Sequence, residues 1–373
     1  MKKRIVMSIA VLLICSLCAC GQHLNLQNSS SMQVQDNAQR RTVSSAQDSA
    51  ESTAADGAAI TTDGGYMLNV SALEHESSSS PSTVYFISDI SSDALMKIYA
   101  VLGRRANENV AVKLSTGEAG DTYYLDPGLI KSLVQSVNGT IVECNTAYGG
   151  SRSSTAMHLQ VAKDHGFTDI ADVDIMDADG SMSIPVTGGK HLTEDLVGAH
   201  LADYDFVMVL SHFKGHAMAG FGGALKNISI GIASAEGKAR IHGAGDASKM
   251  WNANQDDFTE SMAEAAKAVS DYERGGSRML YISVMNNLSV DCDCDSSPAA
   301  PTMKNVGILA STDPVALDQA CVDLVYAVPD GKDLIARMES RNGVHILEHA
   351  EEIGLGSRNY QLIDIGTRPA QKE

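Results

Sequence analysis

The chain has 373 residues, 46 acidic against 28 basic side chains, and a formal net charge of −18. That balance excludes a nucleic-acid binder, because a basic face is needed to neutralise phosphates. A hydrophobic share of 44% supports a sizeable core, and the single long apolar run, at the N-terminus, excludes a multi-span membrane protein.

Met1-Lys2-Lys3-Arg4, followed by an apolar stretch up to Ala19, has the form of a signal peptide over residues 1–19. It ends in Leu17-Cys18-Ala19-Cys20, which resembles a bacterial lipobox. The resemblance implies cleavage before Cys20 and diacylglycerol on its sulfur. The chain would then be lipid-anchored on the extracytoplasmic face of the cell membrane. A plain secretory signal or a retained short anchor is the alternative. Residues 20–81 are rich in Ser, Ala, Gln, Asp and Thr. They bury too little apolar surface to offset their ordering entropy, and read as a disordered tether.

Residues 82–373 read as one large domain in which strands and helices alternate. Strands are expected at 84–87, 110–114, 140–144, 173–176, 206–210, 280–284, 306–310 and 361–365. Helices are expected from Ser91 or Ser92 to about Gly103, from Asp126-Pro127, over 153–165 and over 258–272. The alternation predicts an α/β fold, a mostly parallel sheet with flanking helices. Ligands in such folds bind beyond the carboxyl ends of the strands.

The loop after strand 206–210 concentrates the chemistry. It contains His212, Lys214, His216, Gly220, Gly222, Gly223, Lys226 and Asn227. The glycines would let backbone amides approach an anion, and a helix starting near Gly223 would favour negative charge at its N-terminus. The two lysines add positive charge. The two histidines suit metal ligation or proton exchange. A tight turn with solvent-facing histidines is the bland alternative.

Asp291-Cys292-Asp293-Cys294-Asp295 places two thiols on one side of an extended chain. With His212 and His216 they suit a thiophilic metal ion or an iron–sulfur cluster. A disulfide explains them equally well; a ring within the pair would be small and strained, and Cys144 or Cys321 could instead pair with one of them. Asp313, before Pro314, suits a helix cap or a ligand-facing carboxylate, and Asp318 is mid-helix, where capping does not explain it. Lys113 ends a strand and is a candidate for the same crevice. Glu143, Asn145, Tyr148 and Arg152 form a candidate polar wall. Trp251 reads as core or lid. There is no G-x-S-x-G, Walker A loop or H-E-x-x-H motif.

Segments 143–155, 211–234 and 291–319 together closely resemble the bacterial family known as domain of unknown function 362, from about Val84 to the C-terminus. Its members are often described as iron–sulfur centre proteins. Many relatives carry a ferredoxin-like insert with two four-cysteine motifs before a helix like that at 258–272. Here residues 236–257 contain no cysteine, so that insert is missing. Residues 219–226 are also similar to the His-containing Ala-Gly-Phe/Tyr-Ser-Gly-Gly-x-Lys loop of lactate racemases. That likeness implies a bound organic or nickel-containing cofactor and 2-hydroxy-acid chemistry.

Three functions are therefore expected in turn. The first is a tethered metal- or cofactor-binding protein in a redox setting. Its centre would use His212, His216, Cys292 and Cys294, and Lys113, Lys214, Lys226, Asn227, Asp313 and Asp318 would hold or orient the group. The second is a non-catalytic lipoprotein that captures a small anionic solute. The third is a hydroxy-acid isomerase. The expected partners are the membrane through Cys20, a small anionic ligand or a redox partner, and no nucleic acid.

Overall fold

A computed structural model describes residues 59–70, 73 and 80–366. The signal peptide, Cys20 and most of the expected tether lie outside the described residues. The strands are β1 (Ala59–Thr61), β2 (Met67–Asn69), β3 (Ser82–Ile87), β4 (Val110–Lys113), β5 (Thr140–Glu143), β6 (Val173–Ile175), β7 (Ser181–Pro185) and β8 (Glu194–Gly198). They continue with β9 (Phe206–His212), β10 (Lys214–His216), β11 (Gly220–Gly222), β12 (Met279–Met285), β13 (Gly307–Ser311) and β14 (Tyr360–Asp364). The helices are α1 (Ser92–Val101), α2 (Pro127–Ser136), α3 (Thr155–Asp164), α4 (Ala224–Ile228) and α5 (Ala235–His242). After them come α6 (Gln255–Tyr272), α7 (Pro314–Ala327), α8 (Lys332–Ser340) and α9 (His345–Glu352).

Eight strands form one sheet in the order β14-β3-β13-β12-β9-β4-β5-β6. Both faces are covered, so the central strands are apolar throughout. In β9, Val207 and Val209 pack on one side with α4, α6 and α7, while Phe206, Met208 and Leu210 pack on the other with α1 and α2. Period-two alternation thus divides a wholly buried strand between two cores. The caps fall where the sequence places them. Ser91 accepts from the Ala94 amide, and Asp126 accepts from Gly128 beside Pro127. The sheet is mostly parallel with flanking helices, as expected. No helix among the described residues is long and apolar enough to cross a membrane.

Two expectations are corrected. The folded part begins before residue 82. Residues 59–69 form the β1–β2 hairpin, with Ile60 and Leu68 buried and Gly65 at φ +85° in the turn. Its turn bonds to the chain before β13, Asp63 N to Val306 O and Gly64 N to Asn305 O, at 2.9 Å each. Sparse apolar residues suffice there because a finished surface receives them. The second concerns Asp313, expected to face the ligand from the end of strand 306–310. β13 runs antiparallel to both β12 and β3, whereas the other seven strands share one direction. Its carboxyl end therefore lies at the sheet edge opposite the ends of β4, β5 and β9.

Candidate functional site

Lys113 ends β4, Glu143 ends β5 and His212 ends β9, so parallel register brings all three to one edge. Beyond that edge is a cavity of about 600 Å³. Its walls come from the loop after β4, the segment before α3, the β9–α4 loop, α5, and residues 291–296 of the β12–β13 connection. Trp251 is exposed beside Tyr148 at the rim, ring centroids 6.2 Å apart, which settles it as neither core nor buried.

Five cations line the cavity, and they fall into two sets. Arg152 is paired with Glu118 at 3.4 Å and Glu143 at 3.3 Å, and Lys214 bonds Asp293. The second set has no carboxylate partner among the described residues. Lys113 Nζ donates to the Leu114 carbonyl at 2.6 Å and to Asn227 Oδ1 at 3.1 Å. Lys238 Nζ donates to the carbonyls of Ala233 at 2.6 Å and Cys144 at 3.4 Å. The Nζ of half-buried Lys226 makes no hydrogen bond or ion pair among the described residues. Burial disfavours the charged form of each. It pushes Lys113 down to about 8, and lowers Lys238. Burial and the Lys214 charge push Lys226 down to about 7.

The expected residues divide in the same way. Asn227 is a clamp, donating to the carbonyls of Lys113 and Leu210 and to Ser211 Oγ while accepting from Lys113. Gly222 lies between two cations. A Cβ there would sit 3.4 Å from Lys226 Cδ and 4.0 Å from Lys214 Cε. Gly220 and Gly223 also have internal packing reasons to be glycine, and Gly223 lines the cavity. Gly220 has φ +81° and packs on the backbone of Met338 and Gly343. A Cβ on Gly223 would meet Asp318 Oδ1 at 2.3 Å.

Asp318 explains that approach. Its carboxylate crosses from α7 to accept the Ala224 amide at 2.7 Å and the Leu225 amide at 2.9 Å. The N-terminus of α4, expected to receive an anion, is thus filled from within the protein, and α4 has only five residues. Asp318 supports the loop from behind and is absent from the cavity wall. Asp313 lies at the far edge of the sheet, for the reason of strand direction given above. It caps α7 through the amides of Val315 and Ala316 and also accepts from Ser82 and Ser357. Capping and tying β3 to the chain before β14 account for all of its oxygens' contacts.

The metal expectation meets a tautomer problem. Cys292, Cys294 and His216 offer donor atoms within 4.8 Å of one another. His212 is not in that group. Its Nδ1 faces Asp293 Oδ1 at 2.9 Å and its Nε2 faces the Asn286 carbonyl at 2.7 Å. Both ring nitrogens are thus already hydrogen-bonded within the protein. His216 Nδ1 accepts the amides of Met218 at 3.2 Å and Ala219 at 2.9 Å. The hydrogen of the neutral ring is therefore on Nε2, the nitrogen that faces Cys294 Sγ at 3.9 Å. Burial and the nearby Lys226 hold His216 well below the usual histidine range, hence neutral. The two cysteines are joined as a disulfide, which has no thiolate to give. The donor set fits a metal ion only after reduction and a change of tautomer. Two sulfurs also fall short of the four thiolates of a common iron–sulfur cluster, and Cys321 is buried in α7 away from the cavity wall.

The motif reading passed over two residues. Lys238 and His242 are one turn apart on α5 and both reach the cavity. His242 Nδ1 donates to the Lys238 carbonyl at 2.7 Å, which leaves the lone pair on Nε2. Burial pushes its pKa down to about 4, and it stacks on Phe258. The signal available was the i, i+4 spacing behind the Ser234 cap, which accepts from Gly237.

Fold and site together define an α/β protein with a cation-lined cavity at the carboxyl edge of a mostly parallel sheet. The chain belongs to the family known as domain of unknown function 362, whose model matches residues 110–323. No curated protein matches it. Among solved structures it is similar to the lactate racemase apoprotein from Thermoanaerobacterium thermosaccharolyticum, at 13% identity and a TM-score of 0.39. That match covers 71% of this chain and 61% of the other. It is also similar to a protein from Thermotoga maritima, at 14% identity and a TM-score of 0.34, covering 62% and 57%. The chain thus spans about three fifths of the length of these structures.

Proposed function

We propose that this chain binds a small acidic molecule in the cavity, with Lys113, Lys226 and Lys238 as its counter-charges. The observation that carries the reading is three lysines in one cavity, none ion-paired to a carboxylate among the described residues, while Glu118, Glu143 and Asp293 in the same wall are paired with Arg152 and Lys214. Ammonium groups held out of water are costly unless an anion joins them. The volume suits a metabolite-sized ligand. Neutral His242, with its lone pair toward the cavity, would accept a hydrogen bond or a proton from a hydroxyl on that ligand. With Cys20 lipidated, the ligand would be met outside the cytoplasm.

Calorimetry with phosphate, oxalate and lactate tests this. Binding is expected to take up protons near pH 8, because an anion raises the pKa of all three lysines. Lys226→Gln should weaken binding at least about ten-fold, the loss of one charge-assisted contact. Absence of binding by every probe, or binding untouched by that substitution, refutes the reading.

The clustering of His216, Cys292 and Cys294 favours a second reading, a thiophilic metal ion held by the reduced protein. Zinc content after anaerobic reduction tests it. Substoichiometric metal that is unchanged in Cys292→Ser would exclude it.

A further inference from the structure

We propose that the Cys292–Cys294 disulfide is a thiol–disulfide exchange centre for small anionic thiols. The proposal rests on the anion-binding reading of the cavity for its selectivity, and on the position of the disulfide for its chemistry. Both cysteines line the cavity, Cys294 half-buried and Cys292 behind it.

The bond is poorly placed to be a staple. It closes a ring over one intervening residue, and so restricts the unfolded chain far less than a long loop would. The loop is held without it. Asp293 between the cysteines bonds His212 and Lys214, and its carbonyl accepts the Glu118 amide at 2.7 Å. Opening the S–S bond therefore leaves the segment anchored through its middle residue.

The surroundings suit exchange. An anionic thiol entering the cavity meets Lys226 and its fellow cations, which raise its local concentration. Its thiolate attacks the more accessible Sγ of Cys294. A bond forms between the incoming sulfur and Cys294, the S–S bond breaks, and the electron pair leaves on Cys292 Sγ. That sulfur already accepts the Cys294 amide at 3.2 Å, a contact that strengthens as charge develops. A second thiolate then attacks the substrate sulfur of the mixed disulfide, and Cys294 leaves as a thiolate. His216 Nε2–H, at 3.9 Å, is placed to donate to it. Two small thiols become one small disulfide, and the protein gains two electrons and two protons as a dithiol. The reverse sequence oxidises the dithiol with a small disulfide. The other cysteines among the described residues take no part. Burial pushes Cys144 up to about 12 and Cys321 well above the usual thiol range, so neither supplies a thiolate.

The experiment incubates the oxidised full-length protein with 2-mercaptoethanesulfonate, 2-mercaptoethanol or cysteamine. Reduction is followed by alkylation and mass spectrometry, with rates expressed per thiolate. The expected order is anionic, neutral, cationic, with at least about ten-fold between first and last, as electrostatic steering allows. The spread should narrow at high salt and in Lys226→Gln, and a mixed disulfide on Cys294 should be trapped. A disulfide that opens only in denaturant overturns the proposal, as do equal rates for the three thiols. Oxalate binding, measured on the same samples, separates the two readings. Oxalate bound to a protein whose disulfide stays closed defeats this inference alone. Rapid opening without charge preference or oxalate binding defeats the cavity reading and, with it, the selectivity proposed here.

Discussion

Replacing Lys226 with Met should stabilise the protein while removing its ligand. The amine is pushed from 10.5 down to about 7 by burial and the Lys214 charge, which the more distant Asp293 carboxylate offsets only in part. Below pH 7 both folded and unfolded lysines are charged, and the folded state carries the whole penalty. At about 1.4 kcal/mol per pKa unit, that is roughly 4–5 kcal/mol. Between pH 7 and 10.5 the unfolded chain binds the extra proton, so wild-type stability rises with pH and the penalty shrinks. About 2 kcal/mol remains at pH 9. Lys226→Met should therefore gain stability at pH 6 and gain roughly 2–3 kcal/mol less at pH 9. Urea melts of both proteins at the two pH values, without added anions, measure the difference. Saturating oxalate should stabilise only the wild type. A variant less stable than wild type at pH 6, or one whose gain is the same at both pH values, would refute an uncompensated ammonium at this position.

Four further outcomes are expected. Asp313→Ala removes the α7 cap and leaves four donors short of an acceptor. It should cost about 2–4 kcal/mol in urea melts, with oxalate affinity unchanged because the residue lies at the other sheet edge. Gly223→Ala should displace Asp318 from α4 and weaken oxalate binding several-fold by calorimetry, since its Cβ would sit 2.3 Å from Oδ1. Asp195 has both oxygens buried with no close hydrogen-bond partner among the described residues beyond the Leu196 amide, and burial pushes it up to about 7. Its folded pKa is raised, so its contribution worsens as pH rises from about 4 through 7. Asp195→Asn should thus gain up to about 4 kcal/mol more at pH 8 than at pH 4. Cys20→Ser should abolish incorporation of labelled palmitate in cells and release the chain from the membrane fraction. Continued labelling would locate the lipid elsewhere.

Much of the architecture was legible because its signals are local. The cap at Ser91, the Asp126-Pro127 start and the two-sided strand 206–210 each carry their own physical cause. Lys113, Glu143 and His212 were placed correctly on one edge because each directly ends a parallel strand. Strand direction was not legible. A strand buried on both faces is apolar in either orientation, so nothing in residues 306–310 marks β13 as reversed, and Asp313 was assigned to the wrong edge. The role of Asp318 was equally hidden, since the amides that it accepts are more than ninety residues away in sequence. The β1–β2 hairpin escaped notice because its few apolar residues gain their burial from a surface built by the rest of the chain.

The reversed strand has a consequence for how the cavity is assembled. A parallel successor to β12 would require the chain to cross the sheet face and return at the opposite edge. Because β13 is antiparallel, the chain leaves β12 and re-enters β13 at the same edge. The whole connection from Asn286 to Val306 is free to lie over the cavity, and it supplies Asp291 to Ser296 to the wall. One inverted strand thus turns a crossover into a roof. Residues could be added to that roof, removed or exchanged while every strand keeps its neighbours, so the ligand can change where the sheet cannot.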